Sequence, residues 1–180
     1  KGWINSVILP EGIKSIGEYA FRGINIRRIH IPSSITSIGQ YAFAGTPLNS
    51  LTFAESAQLQ SIDRYAFNDC SSLKEVIMPN TVSYVGESAF RGCSGLQTIH
   101  FSDLITTLSG YVCRECTQLA NLYLPSNLQE IGDYAFYNDY SLVHIEFPSS
   151  LNTIKGSAFY NCVLDSVKLP ITLTKLGNYA

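Results

Sequence analysis

The stretch "LKEVIMPNTVSYVGESAFRGCSG", residues 73–95, decides the reading of the chain. In "LKEVIMP" the fourth and sixth residues, Val76 and Met78, alternate with Glu75 and Ile77, the period-two pattern of a half-buried strand. Pro79 closes that strand, because it lacks an N–H and biases the residue before it towards an extended conformation. Next, "VSYVG" sets Val82 and Val85 three apart before Gly86 turns the chain. That spacing suits a tight turn, or a single 3₁₀ or α turn, better than a long helix. "SAF" then leads to Gly92 and Cys93.

Every one of these blocks recurs. The "YAF" or "SAF" alanine falls at Ala20, Ala42, Ala66, Ala89, Ala135, Ala158 and Ala180, and Val112 stands in that place in one degenerate copy. The period is about 23 residues and covers the chain. The strand block begins at Ile4, Ile26, Leu48, Leu73, Leu96, Leu119, Leu142 and Leu164, and the return block at Ile13, Ile35, Leu59, Val82, Ile105, Leu128, Leu151 and Leu173. No single unit can bury its apolar face, but stacked neighbours can. The expectation over residues 1–180 is one domain of about eight coils, cut short at both ends because Ile4 has no Ala-Phe before it and Ala180 no phenylalanine after it. Two extra residues in "LTFAESAQLQSI" (51–62) should make 54–58 bulge outward.

L-x-x-I-x-L-P followed by S-L-x-x-I-G-x-Y-A-F-x-G-C resembles the BspA-like (Treponema pallidum-type) leucine-rich repeat, and the resemblance spans essentially the whole chain. It implies a right-handed, curved solenoid, a horseshoe with a parallel β-sheet on its concave face and short return strands and 3₁₀ or helical turns on its convex face. It further implies a cell-surface or extracellular adhesin-like protein, with no shared catalytic residues to carry over. "GYVCREC" (110–116) departs from the pattern by lacking the Ala-Phe pair.

Composition narrows the classes. Charged residues make up only 14% and hydrophobic ones 46%, against a usual charged quarter. The net charge of −2 leaves no basic footprint for nucleic acid, and "INIRRIH" (24–30), the one local basic cluster, reads as a rim or concave patch. No apolar run reaches the ~18 residues of a membrane span. "KGWINSVILP" carries neither an initiator Met nor a signal-peptide pattern, so a segment of something longer is expected.

"YVCREC" (111–116) has the spacing of a redox pair or half a zinc site. The repeat gives it another meaning. Cys70, Cys93, Cys116 and Cys162 each follow the repeat alanine position by four, so they share one inward column in which free Cys behaves as a small hydrophobe. Cys113 occupies the column of Phe21, Phe43, Phe67, Phe90, Phe136 and Phe159. A redox pair would need an exposed, electropositive setting, and zinc two more ligands that no Cys or His column supplies. Stacked coils ~4.8 Å apart would also admit a Cys70–Cys93 or Cys93–Cys116 bridge, so the column is either reduced or bridged.

The third and fifth strand positions should face out from the concave sheet. The fifth reads Ile8, His30, Thr52, Ile77, His100, Tyr123, Glu146 and Lys168; the third includes Arg28, Glu75 and His144. Mixed polar residues are the default for a solvated face. Ile8, Ile77 and Tyr123 are not, and Tyr123 beside His100, Glu146 and His144 combines an aromatic anchor with adaptable polar groups. The candidate partner-binding residues are therefore His30, Ile77, His100, Tyr123, His144 and Glu146. A metal held by His100, His144 and Glu146 would have to overcome the splay of side chains on a flat sheet. Tyr19, Tyr41, Tyr65, Tyr111, Tyr134 and Tyr179 precede the repeat alanine position and read as convex-surface architecture. No nucleophile elbow, metalloprotease motif or phosphate loop occurs, so no catalytic residue, metal or cofactor is expected. The expected role is a monomeric binding module for a host or extracellular-matrix protein or glycan; the alternative is a spacer within a longer surface protein.

Overall fold

The computed structural model describes residues 4–180. Its elements are all short parallel strands, in two sets that alternate from β1 to β12. The longer set comprises β1 (Ile4–Ile8), β3 (Ile26–Ile31), β5 (Ser50–Phe53), β7 (Glu75–Ile77), β9 (Thr98–His100) and β11 (Asn121–Tyr123). The two-residue set comprises β2 (Ser15–Ile16), β4 (Ser37–Ile38), β6 (Ser61–Ile62), β8 (Tyr84–Val85), β10 (Thr107–Leu108), β12 (Glu130–Ile131), β13 (Thr153–Ile154) and β14 (Lys175–Leu176). Pairing always joins one coil to the next in the same register: Ile29 faces Leu51, and Ile16 faces Ile38. The result is a parallel-strand β-solenoid of about seven turns between the strand blocks at Ile4 and Leu164.

Identical positions stack into columns, and the columns are the core. Ile26, Leu48, Leu73, Leu96, Leu119 and Leu142 are fully buried, as are Ile38, Ile62, Leu108 and Ile131. Each such side chain contributes about 1.5–3 kcal/mol by leaving water. Phe21, Phe43, Phe67 and Phe90 stack ring on ring at 5.1, 5.1 and 5.3 Å. The row stops at Cys113 and resumes with Phe136 on Phe159 at 5.3 Å.

The third side of each coil, carrying Tyr-Ala-Phe, is a run of turns; no helix occurs among the described residues. The expected 3₁₀ or helical turn is thus corrected, and the backbone gives the reason. Tyr19, Tyr41, Tyr65, Tyr111, Tyr134 and Tyr179 have φ of 54–59°, and Asp69, Glu115, Asn138 and Asn161, further along the same turns, are also left-handed. A right-handed helix cannot run through such residues. Instead, N–H groups alternate between their own turn and the next coil. Tyr19 and Phe21 donate to the Gln40 and Ala42 carbonyls at 2.9 and 2.7 Å, while Arg22 between Phe21 and Gly23 donates to Tyr19 within its own turn at 3.1 Å. Glycine after the short strand serves close approach: a Cβ on Gly86 would lie 2.5 Å from the Arg64 nitrogen, and one on Gly132 2.6 Å from the Gly110 nitrogen.

The ladders have interruptions. The longer strands form two sheets, β1-β3-β5 and β7-β9-β11, and the short strands form β2-β4-β6-β8 and β10-β12-β13-β14. The first interruption, between β5 and β7, coincides with the two-residue insertion. There Ala57 donates to Ala54 at 3.0 Å to close a turn that exposes Glu55 and Ser56 while burying Ala57. The insertion therefore bulges only in part. Between β8 and β10, the Ser109 hydroxyl donates to the Val85 carbonyl at 2.6 Å, where other coils use the backbone N–H of the equivalent residue. The strand blocks 142–148 and 164–170, expected as strands, carry no ladder. Ile145 and Phe147 are only half-buried, and Val167 and Leu169 are exposed, because the final coil is covered by a neighbour on one side alone.

Candidate interaction surface on the long-strand face

Strand alternation turns the third and fifth residues of each block outward, and the register sets them in rows. Ile77 faces His100 and His100 faces Tyr123, so the three form one contiguous row across β7, β9 and β11. Ile77 is 55% and Tyr123 51% exposed. The His100 and Tyr123 rings stack at 3.7 Å with 18° between their planes. His30 lies on the other sheet, opposite Ile8 and Thr52, and its Nδ1 shares a 2.9 Å hydrogen bond with the Thr52 hydroxyl. The six candidates are therefore not one cluster. His30 stands apart, the Ile77–His100–Tyr123 row is central, and His144 and Glu146 project from the unpaired 142–148 segment.

Each interruption of the long-strand ladder opens a cleft. Between β5 and β7 lies one of ≈ 530 Å³, lined among others by Phe53, Glu55, Glu75, Ile77 and Met78. Between β11 and 142–148 lies a second of ≈ 360 Å³, lined among others by Asn121, Leu122, Tyr123, His144 and Glu146. Near the first strands a smaller cleft of ≈ 260 Å³ has Arg28 and His30 in its wall. Glu55, at the lip of the first cleft, belongs to the 54–58 insertion and is outside the six candidates. The insertion was its only signal. No group of three His, Cys, Asp or Glu side chains among the described residues is placed to hold a metal ion, so His100, His144 and Glu146 do not converge.

The cysteines are free thiols, and the unbridged alternative for their column is the one found. Cys70, Cys93 and Cys116 are fully buried, and each thiol donates to the carbonyl of Phe43, Phe67 or Phe90 in the preceding coil at 3.2 Å. Cys162 does the same to Phe136 at 3.1 Å. Burial pushes the Cys113, Cys116 and Cys93 thiols up, and Cys162 up to about 12. For Cys113 and Cys116 this disfavours the thiolate, the form that acts as nucleophile or metal ligand. "CREC" is packing.

Asp139 occupies the same column and was overlooked, although counting four on from Ala135 finds it. Its Oδ1 accepts the Cys116 N–H at 2.8 Å, while Oδ2 is buried with no partner. Burial raises its carboxyl well above the usual range, and Glu115 adds to the shift. On the turn side, Tyr19, Tyr41 and Tyr65 stack at 5.2 and 4.7 Å, with Arg22 over the first two rings. Their ring faces are thus occupied by one another, and the row is architecture.

A family profile described as the BspA type leucine rich repeat region matches residues 3–119 and 60–180, in 6 copies. No curated protein matches the chain. Among solved structures, a leucine rich cell surface protein from Faecalibacterium prausnitzii A2-165 is similar at TM-score 0.80 and 24% identity, over 97% of this chain and 48% of that one. The pneumococcal vaccine antigen PcpA is similar at TM-score 0.56 and 24% identity, over 97% and 53%. The T. pallidum leucine rich repeat protein is similar at TM-score 0.57 and 26% identity, over 76% and 77%. The chain thus spans about half the length of the first two, and at these identities those two likenesses show the fold.

Proposed function

From the premise that the chain belongs to the BspA type leucine rich repeat family, we propose that it is a non-enzymatic binding module, displayed at a cell surface or secreted, which engages a protein or glycan through its long-strand face. The observation that carries the reading is the Ile77–His100–Tyr123 row, in which exposed Ile77 and Tyr123 flank half-buried His100 to give a continuous apolar and aromatic strip on a face that needs none for folding. Burying such a strip on a partner is favourable, and aromatic anchors flanked by adaptable polar groups are what binding hot spots use. His144 and Glu146 supply the polar groups beside Tyr123, and His30 a more distant polar contact. The likeness to a leucine rich cell surface protein supports the location. No helix among the described residues is long and apolar enough to cross a membrane.

A survey of immobilised extracellular-matrix proteins and glycans tests the reading, repeated with a variant carrying Tyr123→Ala and Glu146→Ala together. A partner retained by the parent and weakened by the double variant is the expected result. Unchanged affinity moves the site off this face.

A further inference from the structure

The long-strand face is not uniform in charge, and its clefts carry the difference. The cleft between β5 and β7 is walled by Glu55 and Glu75, and that between β11 and the 142–148 segment by Glu146; no Lys or Arg lines either one. Arg28 lies in the cleft near the first strands, and Lys168 beyond Glu146 in the sequence of the fifth column. Three other carboxylates have cationic neighbours: Glu87 pairs with Arg64, Glu115 with Arg91 and Arg114, and Glu130 with Lys155. Glu55, Glu75 and Glu146 form no ion pair among the described residues. Each cleft also offers something apolar or aromatic next to its carboxylate. In the first these are Ile77 and Met78. In the second it is Tyr123, one ring face of which is covered by His100 while the ring itself lines the cleft.

We propose that these two clefts are subsites for two basic side chains of one extended segment of a partner protein, laid along the solenoid axis over the Ile77–His100–Tyr123 row. This deepens the binding role proposed above and rests on it. A guanidinium or ammonium entering the second cleft meets the electron-rich face of Tyr123 and the Glu146 carboxylate together, a combination that favours a cation over a neutral ring. In the first cleft the stem of the same kind of side chain lies along Ile77 and Met78, with its head between Glu55 and Glu75. The spacing is consistent. Three coil steps of ~4.8 Å separate the clefts by roughly 14 Å, about four residues of extended chain at ~3.3 Å each. Residues four apart in an extended chain point to the same side, so both basic side chains would face the solenoid, and the residue midway would meet His100. An acidic segment would be repelled by the three carboxylates.

The test uses synthetic peptides with two arginines four residues apart, and the same peptides with both replaced by glutamine or by glutamate. Binding is read by calorimetry, and the surface mapped by NMR on the intact chain. The expected result is binding of the arginine peptide alone, weakening as salt rises, with shifts at Tyr123, His100 and Ile77. Glu75→Gln and Glu146→Gln should each weaken it roughly three- to tenfold, Tyr123→Ala by a similar factor. These positions are exposed, and an unchanged melting temperature verifies the fold of each variant. Equal binding of the glutamine peptide, or indifference to both carboxylate variants while Tyr123→Ala still weakens it, overturns the cationic assignment and leaves the face as the binding site. Binding indifferent to all three variants overturns the two-subsite proposal and places the peptide off this face. No binding by any peptide overturns the two-subsite proposal alone, since the matrix and glycan survey stands as the separate measure of the face.

Discussion

Two lengths of the turn side differ sharply. From Phe21 to Phe90 the inner column is an unbroken pile of rings; at Val112–Cys116 it is small, with Cys113 where a ring would stand, and one coil on Phe136 restores the ring while Asp139 puts a carboxyl in the thiol column. Apart from Phe21, which is half-buried at the first coil, both lengths are fully buried. The difference teaches that the repeat specifies position more strongly than content. Backbone bonding from coil to coil holds each column in place: Cys113 still donates to the Ala135 carbonyl at 2.8 Å, as Phe67 does to Ala89. Packing energy then varies from coil to coil within an unchanged frame.

The largest expected effect comes from emptying the regular length. Phe67→Ala should destabilise by about 3–5 kcal/mol, because its ring is stacked on both sides; a loss under about 1 kcal/mol in denaturant unfolding would mean that the rings carry little of the stability. Asp139 is next. Asp139→Asn should stabilise by about 1–3 kcal/mol at neutral pH, by removing an ionisable group whose second oxygen is buried without a partner. The sign with pH follows from its raised carboxyl. Groups facing it are the thiols of Cys113, Cys116 and Cys162, all un-ionised at neutral pH, and Glu115, which is itself paired to Arg91 and Arg114. The folded state holds the proton more tightly than the unfolded chain, so this contribution is complete below the ordinary carboxyl value near ~4 and is lost as pH rises towards the raised folded value. Melting temperature measured across that range should fall with rising pH in the parent more than in Asp139→Asn; parallel curves would refute the role.

Smaller effects sharpen the same contrast. Ser109→Ala removes the hydroxyl that replaces a ladder bond to Val85 and should cost about 1 kcal/mol, seen as a lower urea midpoint. At the bottom of the scale, a thiol reagent should leave stability untouched and modify only the partly exposed Cys162 in the native protein, with the four buried thiols reacting on unfolding. Rapid native labelling of Cys113 would show that its coil opens.

The columns were legible in the sequence because identical residues at one spacing have only one way to bury together: Ile62, Ala66, Phe67 and Cys70 all lie where their spacing placed them. Ile77, His100 and Tyr123 were legible as outward residues for the same reason. The clefts were not. The two larger ones lie where hydrogen bonding between neighbours lapses, and "LVHIEFP" reads like its paired counterparts although its segment forms no ladder. The left-handed tyrosines also escaped notice, since their φ is imposed by bonds to the next coil at Gln40 and its equivalents. Asp139 was visible but hidden among polar neighbours in "YNDYS".

The bonds between coils run along the solenoid axis on all three sides. Under tension applied at its two ends the molecule is therefore loaded as links in series. It should lengthen in steps of one coil, each releasing roughly 75 Å of chain. The interfaces missing one ladder, at β5/β7, β8/β10 and beyond β11, are where such a strand of links parts first.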